Sequence, residues 1–291
     1  MREFRGKVAV ITGGASGIGL AMAERFAREG MKLVLADVEK GRLGEVTARF
    51  QAEGVEAVGV ETDVSDAEQM DALGAATLDA FGAVHVVCNN AGVAAGGLSW
   101  ELTTADWKWV IGVNLWGVIH GIRVFVPRLV AQGEGHIVNT ASLAGLISLP
   151  GIAPYSVTKH GVVTLSETLH GELIAAGSKV RVSVLCPSWV KTGIFESDRN
   201  RPVALSNRDS ERETQRRAQS REIGAVLLAN AMSASEVADR VFDAIVEERL
   251  YILTHPETEP LVRSRMTHIL EGSNPEPLLL PPGTPSFIDP L

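Results

Sequence analysis

Lys7-Val-Ala-Val-Ile11 runs straight into Thr12-Gly-Gly-Ala-Ser-Gly-Ile-Gly19, and the apolar periodicity of Leu20 to Glu29 follows at once. The order reads as strand, glycine turn, helix. Glycines at 13, 17 and 19 allow a tight turn, close approach of backbone to a pyrophosphate and close packing of helix on strand, and a helix N-terminus attracts the anion. A dinucleotide fits there. The spacing is GxxxGxG rather than GxGxxG, so its context carries the weight. A second apolar run, Lys32 to Ala36, ends in Asp37, eighteen residues past Gly19. An acidic side chain at that point accepts hydrogen bonds from both hydroxyls of an adenosine ribose and repels a 2′-phosphate. Neither Ala15 nor Val38 offers a basic residue to that phosphate. The pattern therefore predicts NAD over NADP. The competing reading of Asp37 is a solvated loop carboxylate.

Apolar strand candidates recur at 7–11, 32–36, 55–60, 84–88, 135–140, 180–186 and 250–253, with helical patterns between them. This alternation predicts an α/β, Rossmann-like, doubly wound parallel sheet of about seven strands with helices on both faces. Ligands in such sheets bind beyond the carboxyl ends of the strands, where strand order reverses. Gly13, Asp37, Asp63, Asn89, Ser142 and Thr192 all fall just after strand candidates and are placed on one rim.

Tyr155, one of two tyrosines in the chain, stands in Tyr155-Ser-Val-Thr-Lys159, with Ser142 thirteen residues upstream. Four residues apart on a helix, a phenol and an ammonium share a face, and the cation favours the ionised phenol. A free phenol titrates near pH 10, a handicap for an acid-base group at neutral pH. Alone, YxxxK is also what a surface helical turn looks like. The glycine turn at the other end of the chain makes the chemical reading the better one.

Together, TGGASGIG at 12–19, Asn89-Asn90-Ala91-Gly92 after a strand, Asn114 in VNLWG, and Ser142, Tyr155 and Lys159 resemble the short-chain dehydrogenase/reductase family, over roughly residues 5 to 193 and again at the last strand. The resemblance implies that Asn114, Ser142, Tyr155 and Lys159 form the catalytic group. It implies a cofactor site made of Gly13, Ser16, Gly17, Ile18 and Gly19 at the phosphates, Asp37 at the ribose, and Asp63 and Val64 near the adenine. Asn90, Ala91 and Gly92 would lie near the adenosine ribose, Tyr155 and Lys159 at the nicotinamide ribose, and Pro187, Val190 and Thr192 at the carboxamide end. Asn89 to Gly92 also has a structural task open to it, since amide side chains can tie strand ends together. Ser188 replaces the family's usual glycine after Pro187. Asn114 sits mid-helix, where Asn is a poor former, and is expected to hold a water that links Lys159 to solvent. An exposed helix face is the other reading for Asn114, and a loop-capping hydroxyl is the other for Ser142.

The implied reaction is reversible hydride transfer between NAD and a secondary alcohol or its ketone, with Tyr155 as acid and base, Ser142 holding the substrate oxygen, and Lys159 lowering the phenol pKa. Three other readings share parts of the pattern. An epimerase or dehydratase on the same scaffold would also use NAD, Tyr and Lys. A halohydrin dehalogenase would have little use for intact glycines and Asp37, and a non-catalytic NAD sensor would lose the acid-base group. Candidate substrate-pocket residues Val93, Ala94, Leu143, Leu146, Ile147 and Trp189 are mostly apolar and carry no cation for a carboxylate or phosphate. A hydrophobic alcohol or ketone is therefore expected, and its identity stays open between steroid, terpenoid, aromatic carbinol and aliphatic chain.

The chain has 291 residues, 45% of them hydrophobic, enough for one large domain with a sizeable core. A net charge of -8 with no basic stripe argues against nucleic acid. MREFRGK leads directly into the first strand, and no uninterrupted apolar run approaches the roughly 20 residues of a spanning segment. The expectation is a cytoplasmic protein with no membrane partner. Cys88 and Cys186 end separate apolar strands and read as buried small hydrophobes, and the scattered histidines predict no metal site. Long helices over roughly 103–131 and 154–176 carry more apolar residues, Trp109, Val113, Leu115, Val118 and Phe125 among them, than one buried face needs. The family pairs its subunits through such helices, which implies a homodimer or homotetramer.

Between Thr192 and Met232 the sequence turns highly charged and is interrupted by Pro202. It sits where the family carries its substrate lid, and the pattern over 193–232 suggests a helical hairpin touching the body through Ile223 to Leu228. A solvated surface excursion is the alternative. The tail 273–291 holds six of the thirteen prolines, too many for regular structure. It is read either as disordered or as an extended arm on a neighbouring subunit.

Overall fold

A computed structural model describes residues 1–207 and 210–278. Its centre is a parallel sheet of β1 (Val8–Thr12), β2 (Lys32–Asp37), β3 (Ala57–Glu61), β4 (Val86–Asn89), β5 (His136–Thr140), β6 (Arg181–Cys186) and β7 (Tyr251–Leu253). The spatial order is β3-β2-β1-β4-β5-β6-β7, every pair parallel. Each strand expected from sequence is present within two residues of its expected start. The order reverses between β1 and β4, as a doubly wound sheet requires.

The helices are α1 (Gly17–Arg28), α2 (Lys40–Ala52), α3 (Ala67–Phe81), α4 (Thr104–Ile111), α5 (Gly117–Gln132), α6 (Ala153–Ala175), α7 (Ser210–Leu228), α8 (Ala234–Glu247) and α9 (Glu259–Glu271). Successive residues of a strand face opposite sides, and the core divides accordingly. Ala9, Ile11, Leu33 and Leu35 meet Phe26 of α1, Phe50 of α2 and Val241 of α8 on one face. Val8, Val10, Val34 and Val87 meet Met70 of α3, Phe125 of α5 and Leu169 of α6 on the other. Strands buried on both sides read as unbroken apolar runs, which is why β1 and β2 were legible.

Local signals set the helix ends. Asp66 caps α3 by accepting from the backbone of Glu68 and Gln69, and Gly82 ends it in the left-handed conformation. Thr103 and Asp106 close a capping box on α4, as Ser233 and Glu236 do on α8.

Three expectations change. The helix over 103–131 is continuous, but a π-turn at Gly112–Trp116 joins α4 to α5. Within this stretch, Thr104–Gln132, an 18-residue window has a mean hydropathy of 1.5, apolar enough by length and composition to cross a membrane, with half of that window buried within the fold. Scattered polar residues such as Lys108, Asn114 and Arg123 hide this from a search for uninterrupted runs. The 193–232 segment is no hairpin of helices. Two short 3-10 turns, Ile194–Asn200 and Val203–Leu205, flank Pro202 and precede the single helix α7, because proline supplies no amide to carry a helix through. In the Pro-rich tail, residues 279–291 lie outside the described residues.

The Asn89 carboxamide donates to Asn139 Oδ1 at 2.9 Å, joining the ends of β4 and β5. Gly121 of α5 packs on it so closely that a Cβ there would collide with the Asn89 side chain. Gly121→Ala is expected to lower unfolding free energy by about 1–3 kcal/mol through overpacking, read from urea denaturation.

Candidate functional site

The carboxyl ends of the strands border a cavity of about 320 Å³. Gly13, Ser16, Gly17 and Ile18 form one wall. Gly13 and Gly17 adopt positive φ, +64° and +53°, in the left-handed region that favours glycine. Gly19 lies behind the wall, one turn into α1. A Cβ at Gly19 would overlap the Gly13 carbonyl and stand 2.7 Å from Asn90 Nδ2. Ser16 precedes α1 in an extended conformation and makes no side-chain capping bond, so no side chain claims the first-turn amides. A bare backbone cradle at a helix N-terminus is the environment a pyrophosphate needs, and in that respect the residues present fit a dinucleotide.

Asp37 ends β2 at the cavity edge. Its carboxylate accepts from Ala15 N at 3.1 Å and Glu39 N at 3.0 Å, so both loops hold it in place. Asp63 and Val64 line the same end, and Asp63 Oδ1 accepts from the Ser65 amide and hydroxyl at 2.9 and 2.7 Å. Asn90 faces the cavity with Ala91 and Gly92, but its amide group is spent on structure. It donates to Thr12 O at 3.0 Å and accepts from Thr140 Oγ1 at 3.2 Å. Pro187, Val190 and Thr192 close the far side, and Ser188 lines the cavity while its amide donates to His255 Nδ1 at 3.2 Å.

Tyr155 and Lys159 face the cavity from the first two turns of α6. Ser142 follows β5, caps the turn Leu143–Gly145 through Ala144 N at 3.1 Å, donates to Pro187 O at 3.4 Å and lines the cavity with Tyr155. The capping reading of Ser142 therefore holds. Lys159 Nζ lies 5.5 Å from the Tyr155 ring centroid and donates to Thr140 O at 2.8 Å. Burial pushes the Lys159 amine down to about 8, with the nearby Cys186 opposing. Burial also pushes the Tyr155 phenol above its ordinary value, while the Ser142 hydrogen bond pulls it down. This corrects the expected direction, which had Lys159 lowering the phenol pKa. The physical reason is desolvation: a cavity poor in water disfavours both charged forms.

Asn114 lies in the π-turn and is fully buried, which removes the exposed-face reading. Its side chain accepts from Val93 N at 2.8 Å and donates to Val93 O at 2.9 Å and to Thr158 Oγ1 at 3.3 Å, pinning the loop after β4 against α6. Local widening of a helix often accompanies such sites.

Of the substrate-pocket candidates, Val93, Ala94, Leu143 and Trp189 line the cavity. Leu146 and Ile147 do not, which corrects the expectation: the 3-10 turn carries the chain inward, so Leu146 packs with Val118 and Val162 and Ile147 is buried. Leu149 and Ile152 take their place, joined by Phe195, Leu205, Ile223 and Leu227 from the 193–232 segment. The apolar run Ile223 to Leu228 was the one signal in sequence for these last residues. Cys88 and Cys186 are free and buried, and burial pushes both thiols up, Cys186 to about 12. No cluster that could hold a metal occurs among the described residues.

The segment is anchored at Asp106. Asp106 Oδ1 accepts from Arg201 Nη1 at 2.7 Å and Asn207 Nδ2 at 3.0 Å, and Oδ2 accepts from Thr103 N at 2.7 Å. Across the cavity, Glu39 Oε1 accepts from Arg199 Nη2 at 2.7 Å and Asn200 Nδ2 at 2.8 Å.

The sheet order, the glycine cradle and the Ser-Tyr-Lys cluster define a dinucleotide-binding α/β protein of dehydrogenase type. Residues 7–202 match the family model described as short chain dehydrogenase, and the chain belongs to the short-chain dehydrogenase/reductase family of oxidoreductases. A CLA biosynthesis dehydrogenase/reductase of Lactiplantibacillus plantarum is 31% identical over 95% of this chain and 97% of its own length. A 1-deoxy-11-beta-hydroxypentalenate dehydrogenase of Streptomyces arenae is 33% identical over 90% of this chain and 87% of its own. A crystal structure of a Burkholderia phymatum short-chain dehydrogenase/reductase in complex with NAD superposes with a TM-score of 0.90 at 49% identity, covering 96% of this chain and all of that one.

Burial works against ionising Asp106, but bonds from the Thr103 backbone, Arg201, Asn207 and the Thr103 hydroxyl outweigh it and hold the carboxyl below its ordinary 3.8. A depressed folded pKa means stabilisation that is complete above the unfolded value and lost as pH falls through the folded one. Asp106→Asn leaves Arg201 buried without its counter-charge and is expected to cost about 3–5 kcal/mol at neutral pH. The penalty shrinks below about pH 4, as measured by denaturation at several pH values.

Proposed function

We propose that the protein is an NAD-dependent oxidoreductase interconverting a hydrophobic secondary alcohol and its ketone, with Tyr155 as the acid and base. The observation that carries this reading is that Ser142, Tyr155 and Lys159, with the Lys159 amine 5.5 Å from the Tyr155 ring centroid, line the same cavity as the glycine cradle and Asp37. The NAD-bound Burkholderia phymatum structure and the dehydrogenase relatives support it. NAD when bound supplies the hydride acceptor and donor. Gly13, Ser16, Gly17, Ile18 and the closely packed Gly19 would take its phosphates. Asp37 would take the adenosine ribose, Asp63 and Val64 the adenine. Asn90, Ala91 and Gly92 would form the floor, and Pro187, Val190 and Thr192 the carboxamide end.

In this reading Ser142 holds the substrate oxygen against Tyr155 Oη, which gives up its proton as a ketone is reduced and takes one as an alcohol is oxidised. Lys159, fixed by Thr140 O, orients the phenol and meets the nicotinamide ribose. Asn114 holds the Val93 loop so that the cavity wall stays in place. The 193–232 segment acts as the substrate lid of a single large domain, and its Phe195, Ile223 and Leu227 complete an apolar wall suited to a hydrocarbon body. Trp116 of the π-turn and Val157 of α6 are exposed, and we propose that this helical face pairs two copies into a homodimer or tetramer. A monomer at micromolar concentration by light scattering would remove the oligomer.

Tyr155→Phe is expected to leave NAD binding nearly unchanged and to cut kcat by about 10²–10⁴-fold; retained turnover would defeat the mechanism. The phenol, its pKa raised by burial, is the proton donor a ketone needs and must lose its proton to act on an alcohol. Oxidation should therefore accelerate through the alkaline range while reduction slows, as kcat/KM against pH would record. For the cofactor, Asp37→Ala should move the NAD to NADP ratio of kcat/KM toward NADP by about tenfold or more. A wild-type enzyme that already prefers NADP would overturn the NAD reading.

A further inference from the structure

Beside the active-site cavity lies a second one of about 310 Å³, between the Ala94–Gly96 loop and the 193–232 segment. The two share a wall: Ala94, Trp109, Phe195, Ser197 and Arg199 line both. The first is apolar, while the second is bordered by five arginines, 199, 201, 216, 217 and 221, against three carboxylates, Asp106, Glu196 and Asp198. In a chain of net charge -8 this is a local reversal of sign.

Most of these charges are internally matched. Arg199 pairs with Glu39, Arg201 with Asp106 and Arg217 with Asp198, and Glu196 is exposed. Two arginines stand apart. Arg216 is mostly buried and has its Nη1 3.8 Å from Asp106 Oδ2, an oxygen that already accepts from the Thr103 amide and hydroxyl. Arg216 Nη2 is buried and has no hydrogen-bond partner among the described residues. Gly97, with φ +140°, leaves the room that this guanidinium fills: a Cβ there would stand 3.2 Å from Nη2. A buried guanidinium N–H without an acceptor is costly, and a fork of donors is the geometry that takes a carboxylate. Arg221 lines the same cavity from five residues further along α7, exposed and without an ion pair among the described residues.

We propose that the substrate is amphiphilic: a hydrocarbon secondary alcohol or ketone whose far end bears a carboxylate, held by Arg216 with Arg221 at the mouth. The inference deepens the alcohol dehydrogenase reading and rests on it. The reacting carbon meets Tyr155, the hydrocarbon body passes the Phe195 and Trp109 wall, and the anionic end leaves the apolar cavity for the arginine one. The arginines belong to the lid, so a carboxylate bound there also holds the lid closed over the reacting centre.

The test compares octanoate with octanamide, an uncharged isostere that cannot be oxidised, by calorimetry on the NAD-loaded full-length protein. Octanoate should bind about tenfold tighter, the scale of one charged hydrogen bond. Arg216→Gln should erase that difference, Arg216→Lys should keep part of it, and Arg221→Gln, which disturbs no buried contact, should reduce it. Equal affinity for the two probes in the wild type overturns the proposal, as does acetate alone competing as well as octanoate, which would mean an anion site off the substrate path. In parallel, NADH formation is followed with secondary alcohols with and without a terminal carboxylate. Turnover without carboxylate preference overturns this inference alone, while octanoate preference with no turnover of any alcohol overturns the dehydrogenase reading instead.

Discussion

Three strand ends meet at one polar clasp, and the site depends on it. Thr12 Oγ1 accepts from the amides of Asn90 and Ala91 at 2.9 and 3.1 Å, the Asn90 side chain returns a bond to Thr12 O, and Thr140 completes it from β5. Parallel strands leave unpaired carbonyls and amides at their carboxyl ends, and buried polar groups must find partners. Here they find one another. Both Gly13 and Gly19 press against Asn90 with no space for a Cβ, so the glycine cradle takes its shape from the clasp. Lys159 donates to the Thr140 carbonyl, which ties α6 to the same knot. The glycine cradle and the Lys159 amine are thus positioned by one set of hydrogen bonds.

That clasp also explains how much was legible in the sequence. The strands were readable because residues such as Val10, Ile11, Val34 and Leu35 are buried on both faces and leave an apolar run with no competing period. Gly13 and Gly17 were readable because a positive φ demands a missing side chain, and Asp37 because a carboxylate closing an apolar run marks a strand end. Asn89 and Asn90 were only half readable, since an amide that ties strands and an amide that meets a ribose look alike until the partners are known. Leu146 and Ile147 were misplaced because a three-residue turn redirects every following side chain, and no periodicity announces such a turn. The arginines of the 193–232 segment were invisible as a group. Arg199, Arg201, Arg216 and Arg221 are spread over a charged stretch that reads as solvated surface, and only the fold brings them to one side of Phe195.

Desolvation runs through the site as a common cause. It raises Tyr155, lowers Lys159 and raises Cys186, so each buried group favours its neutral form. At about 8 the Lys159 amine still carries its charge at neutral pH, and its bond to Thr140 O helps to hold that charge in a cavity walled by Leu149, Ile152 and Phe195. The Ser142 hydroxyl then becomes the only group shown pulling the phenol pKa down. The proton affinity of the Tyr155 phenol is therefore set by burial first and by the Ser142 hydroxyl second.

The 193–232 segment, proposed above as the substrate lid, is held by the opposite chemistry. A covering segment that is to open gains little from a large apolar interface, which would hold it shut. This one buries Ile223 and Leu227 on its inner side and relies for its footing on directional charge pairs. One pair, Arg201 with Asp106, is almost wholly buried; the other, Arg199 with Glu39, is partly exposed across the cavity mouth. A buried pair is expensive to break and an exposed one is worth at most about 1 kcal/mol. The asymmetry makes Asp106 the fixed end and Glu39 the releasable one. Opening at the Glu39 end would uncover the ribose side of the cleft first, while the arginines beside Asp106 keep their place.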